Sequence, residues 1–214
     1  MDDRPINPGE YDANYFGWGT IQTSNYDKYS RPHWSLPLAN LMKGLNFRPP
    51  YLDVGGAFGF LANDLERVTG QPAATLDISE FATQNTQGRN TVRGDGRVLP
   101  FGGRVFGTLV SMDFLEHLNE VDCVAAVREQ HRVLKAYGVG LHLVGCHTDE
   151  NPEVNASDFS HRNHQDIVWY RTVFRENGFI VDEAWTQLLN EFRVWKNTDW
   201  NGRWLVVVRS PINV

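Results

Sequence analysis

The sequence predicts a three-layer α/β sandwich on a seven-stranded, mostly parallel sheet, and three observations point there. Seven strand-like runs follow Pro49-Pro50, helix-like segments fall between the first six, and the last two runs are joined by a stretch with no convincing crossover helix. Strands alternating with helices imply parallel pairing through right-handed crossovers. The final run then closes the sheet as an antiparallel strand. At 214 residues, 41% of them apolar and 21% charged, the chain is long enough to bury the core such a sheet needs.

Residues 1–48 read as an N-terminal aromatic cap and residues 49–214 as the α/β domain. The stretch "YDANYFGWGTIQTSNYDKYSRPHW" has neither helical nor strand periodicity, and it leads into a helix-like "SLPLANLMKGL". Strands are expected at 51–54, 73–78, about 90–93, 107–112, 139–144, 179–185 and 203–209. The best helix, about 120–136, sets Val124, Val127, His131 and Leu134 on one face, with Asn119 as its cap and Asp122 near its first amides. A second, about 166–177, is capped by Asp166 and stopped by Gly178. Between the last two strands, "DEAWTQLLNEFRVWKNTDWNGRWLVVV" offers only the turn-like "TDWNG".

Charge narrows the partners. A formal net charge of -6, with no basic run, disfavours nucleic acid. No apolar stretch reaches membrane-spanning length, and the first residues lack signal-peptide character, so the expected location is the cytoplasm, with no membrane partner. Two cysteines, Cys123 and Cys146, are too few for a disulfide framework or a cysteine-built metal site.

The chemistry is sought at the carboxyl ends of the strands, where open α/β sheets bind ligands. In "YLDVGGAFGFLANDL", Asp53 ends the first strand, and Gly55, Ala57 and Gly59 keep the following turn small enough for a ligand to approach its backbone. A purely structural turn is the other reading. A dinucleotide fingerprint in phase with Gly55 would need glycine where Ala57 and Phe60 stand, which weakens a nicotinamide reading. Asp77 ends the second strand, where a carboxylate accepts hydrogen bonds from a ribose diol or lies solvated in a loop. Asp95 follows the third, beside an apolar Leu99, Pro100 and Phe101, and suits an exocyclic adenine amine.

Taken together, these segments resemble the class I S-adenosylmethionine-dependent methyltransferases, over almost the whole chain. "LDVGGAFGFL" is similar to that family's first motif, "LDIS" to its ribose-binding acid and "GDGRVLPF" to its adenine-side loop. "FGTLVSMDFLEHL" resembles its fourth strand and turn, and "EQHRVLKAYGVGLHLV" its helix into strand five. The resemblance implies a Rossmann-like sheet with S-adenosylmethionine as cofactor. It places Asp53, Gly55 and Gly59 on the methionine side, Asp77 at the ribose, and Asp95 and Gly96 at the adenine; Ile78 and Met112 are further expected cofactor contacts. Two positions depart from the pattern: Ala57 replaces a glycine, and Gly107 stands where the fourth strand usually opens with an acid.

"DFSHRNHQDIVWYRTVFRENGF" resembles a bacterial small-molecule subset of that family, acting on sugars or secondary metabolites, through Asp158, Ser160, His161, Asn163, Trp169, Phe174, Gly178 and Phe179. Asp113, Asp158, Asn163 and Trp169 are accordingly expected at the acceptor.

Methyl transfer to a hydroxyl needs a proton acceptor, and imidazole has a fitting pKa. His117, just past strand four, is the candidate base, the other reading being a hydrogen bond to loop backbone; His161 is the candidate for orienting the acceptor, and His131 lies on an apolar helix face. The acidic and histidine-rich loop from His147 to Asp166 either rims the acceptor pocket or holds a divalent ion, though no metal-site spacing is recognisable. In the leader, Tyr15, Phe16, Trp18, Tyr26 and Tyr29 form either a lid or a packed strip; Tyr26 and Tyr29 are the preferred cofactor contacts.

The expected function is methyl transfer to O or N of a small molecule by a monomer or homodimer. The alternative is a non-methylating cyclase or accessory protein that keeps the cofactor site.

Overall fold

A computed structural model describes residues 5–18, 34–146, 160–192 and 203–211. Seven strands form one sheet: β1 (Tyr51–Val54), β2 (Ala73–Asp77), β3 (Thr91–Arg93), β4 (Phe106–Met112), β5 (Leu134–Gly145), β6 (Ile180–Val181) and β7 (Arg203–Arg209). Their order is β3-β2-β1-β4-β5-β7-β6. The first five pair in parallel, and β7 runs antiparallel to both β5 and β6. The expected Rossmann-like sheet with an antiparallel last strand is the one that forms. Order reverses between β1 and β4, so the crevice lies beyond the ends of β1 and β4.

Period-two alternation builds two cores from one sheet. Leu52, Val54, Leu109, Val206 and Val208 face one side, packed with α4 (Glu120–Val133) and α5 (Ile167–Glu176) through Val127 and Phe174. Tyr51, Val110, Leu141 and Val207 face the other. There they meet α1 (Ser35–Gly44) through Leu38 and Met42, and α2 (Phe60–Thr69) through Leu61 and Leu65. The Ser35 hydroxyl donates to Asp64 at 2.7 Å in the buried seam between α1 and α2. A short α3 (Glu80–Gln84) follows Ser79, whose Oγ accepts from Ala82 N–H.

Caps fall where the side-chain chemistry predicts. Asn119 Oδ1 accepts from Asp122 N–H at 2.9 Å, Asp166 Oδ1 accepts from Trp169 N–H at 2.8 Å, and Gly178 ends α5 at φ +93. Two expectations fail at boundaries. The helix expected over 120–136 stops at Val133, because Leu134 already pairs with Phe106 in β5.

The second failure is larger. The run expected as a strand over 179–185 pairs only at Ile180 and Val181, and α6 (Glu183–Phe192) follows where no helix was expected. Asp182 caps it by accepting from Trp185 N–H at 3.1 Å, and Thr186 and Leu189 turn inward. The "TDWNG" turn lies outside the described residues.

Gly107, the departure at the opening of β4, has a steric cause. A Cβ there would collide with the carbonyl oxygens of Arg48 and Pro49, because Gly107 N–H donates to Pro50 O at 3.0 Å and the Thr108 hydroxyl to Arg48 O at 2.8 Å. The chain entering β1 crosses β4 too closely for any side chain.

Candidate active site

The turn after β1 is left-handed at three positions, Gly55 (φ +74), Ala57 (φ +46) and Gly59 (φ +73). Alanine tolerates that backbone at some strain. Its methyl group is buried among Tyr15, Phe16, Phe58 and Ala82, where the leader packs on the turn. Asp77 fixes the turn from the side: its Oδ2 accepts from Ala57 N–H and its Oδ1 from Ser79 N–H, each at 2.8 Å. Burial still raises the Asp77 carboxyl above its usual range, against these backbone donors.

Asp53 lies beneath the same turn, 2% exposed, and its Oδ2 has no hydrogen-bond partner among the described residues. Burial, and after it the charge of Asp77, pushes this carboxyl up to about 7. Gly56 covers that oxygen, and a Cβ at Gly56 would collide with it. A buried carboxylate without a partner suits a cationic group arriving at the turn.

Asp95 is gripped by Arg97, whose Nη2 stands 2.6 Å from Oδ2 and whose Nε lies 3.0 Å from each oxygen. That guanidinium holds the Asp95 carboxyl below its usual range, and it also reaches Asp122 at 2.9 Å.

One ring joins the two loops. A Cβ on Gly55 would stand 2.7 Å from Phe114 Cδ2, and one on Gly96 would stand 2.5 Å from Phe114 Cζ. The turn after β1 and the loop after β3 therefore approach within the width of the half-buried Phe114 side chain. Ile78 is half-buried just past Asp77, and Met112, at the tip of β4, packs partly on the α1/α2 side.

A second cluster of polar side chains begins three residues past Phe114. His117 Nδ1 and Ser160 Oγ share a hydrogen bond of 2.9 Å, and the rings of His117 and His161 lie 4.8 Å apart, edge to face. Tyr11 of the leader stands 6.1 Å from His117, and its carbonyl accepts the Ser79 hydroxyl at 2.6 Å. Asp113, at φ +48, accepts from Arg203 Nε at 2.8 Å. Asn163 is buried, whereas Trp169 is half-buried against Tyr170 on α5. Tyr26, Tyr29 and Asp158 lie outside the described residues.

Four contributors escaped the sequence reading. Phe114 and Tyr11 carry no motif of their own in the sequence. Arg162, its side chain 0% exposed, pairs with Glu10 at 2.7 Å, a contact 152 residues apart that no local pattern announces. Glu116, 0% exposed, sat beside the more conspicuous His117. Its only signal was an acid between leucine and histidine in "LEHL". Among the described residues no group of three or more His, Cys, Asp or Glu side chains is placed to hold a metal ion.

Residues 52–141, from β1 into β5, match the family described as a methyltransferase domain. Over that stretch the chain is similar to a methyltransferase domain. The methyltransferase fold extends beyond the matched residues, as solved structures show. A S-adenosylmethionine-dependent methyltransferase from Archaeoglobus fulgidus superposes with TM-score 0.64 at 14% identity, covering 86% of this chain and 97% of that one. A structure described as conversion of a disulfide bond into a thioacetal group during echinomycin biosynthesis gives 0.67 at 16%, covering 97% and 94%. The 4+2 cyclase SpnF gives 0.61 at 16%, covering 82% and 80%. At such identities the likeness establishes fold alone. No curated protein matches the chain in sequence.

Proposed function

We propose that the protein transfers a methyl group from S-adenosylmethionine to an oxygen or nitrogen of a small-molecule acceptor. The carrying observation is the turn Phe114–His117, whose first residue touches both Gly55 and Gly96 and whose last touches Ser160 and His161. Donor loops and acceptor loops thus meet at opposite ends of four residues.

The residues fit the cofactor. The partnerless Oδ2 of Asp53 suits the ammonium of its methionine part, and glycine at 55 and 96 keeps both walls free of side chains. Bound there, S-adenosylmethionine would supply an electrophilic methyl on a sulfonium. Asp77 orients a ribose diol, since each carboxylate oxygen accepts more than the one backbone amide it already holds. Asp95 and Gly96 border the adenine, Ile78 and Met112 add apolar contact, and Tyr11, Tyr15 and Phe16 of the leader close over the turn.

His117 acts as general base. With Nδ1–H donating to Ser160 Oγ, Nε2 carries the lone pair that takes the acceptor proton. His161, Asp113, Asn163 and Trp169 shape the acceptor pocket. Most of the acceleration comes from alignment, an effect that reaches about 7–11 kcal/mol in well-oriented systems.

Calorimetry with S-adenosylmethionine and its demethylated product tests the donor site; absence of binding by both refutes the proposal. Labelled cofactor with a panel of glycosides, phenols and amines then reads the acceptor. The fold shared with SpnF favours a second reading, a cyclase or accessory protein that keeps the cofactor. Retention of one equivalent of cofactor, without turnover by any acceptor, would select it.

A further inference from the structure

Glu116 is a buried acid that the methyl-transfer reading leaves without a task. Its backbone carbonyl accepts from Arg162 N–H at 2.8 Å and from Asn163 N–H at 3.0 Å, and its Oε1 accepts from Gly145 N–H at 2.8 Å. Three segments therefore converge on one residue: the turn after β4, the end of β5, and the loop leading to α5. Glu116 Oε2 and the Tyr170 hydroxyl are buried with no hydrogen-bond partner among the described residues, and the buried Asn163 amide has the weak Cys123 thiol beside it. So much unsatisfied polarity is costly in a core and is kept where it specifies one arrangement.

We infer that Glu116 is a positioning residue: through its carbonyl and its buried carboxyl group it clamps the loop carrying Ser160 and His161 against the turn carrying His117. This deepens the methyl-transfer reading and rests on it for the role of His117. The clamp is closed while Glu116 holds a proton. Among the described residues, Asp113 on its own turn, Arg203 on β7, Cys123 on α4, Cys146 past β5 and Tyr170 on α5 face Glu116, and Arg162 in the clamped loop donates to its carbonyl; Glu120 lies by Cys123, and Asp166 and Arg171 by Cys146.

Burial, then the Asp113 carboxylate, pushes Glu116 up to about 8, while the Gly145 amide and the Arg203 guanidinium pull the other way. Above that pH an ionised carboxylate in apolar surroundings favours opening of the loop, so that water reaches it.

Amide hydrogen exchange of Arg162 and Asn163, followed by NMR from pH 6 to 10, tests this without cofactor or acceptor. Failure of the clamp is thus seen separately from failure of the methyl-transfer reading, which calorimetry decides. A static structure exchanges about tenfold faster per pH unit; opening coupled to one ionisation makes that about a hundredfold below the pH at which Glu116 titrates in the closed loop, and the slope falls back to about tenfold above it. The His117 ring shifts should show a second inflection at the same pH. Glu116→Gln, which keeps an acceptor for Gly145 but has no charge to release, should abolish both the steepening and the inflection. Uniform tenfold slopes in the wild type, or steepening that persists in Glu116→Gln, overturns the inference. If the variant does not fold, the wild-type titration alone decides, since a missing second inflection at His117 refutes positioning.

Discussion

The proposed donor and acceptor halves of the site are built by different means. On the donor side, backbone conformation does most of the shaping: three left-handed residues within five positions, two glycines facing one phenyl ring, and an acid whose oxygens lock two amides. On the acceptor side, the backbone is held by side chains from distant parts of the chain, with His117 meeting Ser160, Glu116 meeting Gly145, and Arg162 meeting Glu10. A half specified by backbone admits few substitutions but a constant ligand. A half specified by side-chain contacts can change its acceptor without disturbing the sheet.

The largest effect that sharpens this contrast is expected at His117. His117→Ala should leave S-adenosylmethionine affinity unchanged and slow transfer by roughly 10²–10⁴-fold, the usual worth of a general base. Wild-type rates with bound cofactor would remove His117 from the mechanism.

Next comes Gly96→Ala. Its new methyl group would stand 2.5 Å from Phe114 Cζ, so it should destabilise the protein by about 1–3 kcal/mol in chemical denaturation and weaken cofactor binding. Gly96→Ala with Phe114→Val should recover most of that loss. No recovery would mean that the ring does not couple the two loops.

Cofactor affinity should also depend on pH. The ligand ammonium favours ionised Asp53, whose carboxyl is raised to about 7 in the free protein. Affinity should therefore climb up to about tenfold per pH unit below 7 and level off above it, with proton release measurable by calorimetry in buffers of different ionisation heat. The free protein shows the opposite trend in stability. Asp53 and Glu116 both bind protons more tightly folded than unfolded, so their contribution is full below about pH 4 and lost as pH rises through about 7 and 8. Denaturation midpoints that rise over that interval would contradict both assignments.

Arg97→Gln should have the smallest effect. Its ion pairs with Asp95 and Asp122 are partly exposed, and their loss should cost under about 1 kcal/mol of stability. A loss of cofactor binding beyond about tenfold would show that Arg97, not Asp95 alone, shapes the adenine side.

The same contrast explains what could be read from the sequence. Asp53, the glycine turn, Asp77 and Asp95 are local features at strand ends, so pattern and spacing suffice to find them. Glu116 and Arg162 become legible only when residues tens of positions apart are brought together. Gly107 is intermediate: its oddness is visible in the sequence, but the cause is a neighbouring chain crossing. The missed α6 had local signals, Asp182 as its cap and Trp185 four residues before Leu189, yet a strand drawn too long over 179–185 absorbed them.

The pairing of Arg162 with Glu10 bears on how this protein tolerates shortening. Removing the first eighteen residues would strip Tyr15 and Phe16 from the turn and also strand a guanidinium whose side chain is 0% exposed. A trimmed version should accordingly be made with Arg162 changed to an uncharged residue of similar reach, such as methionine. Any peptide supplied in place of the deleted segment would need an acid at the matching position to dock.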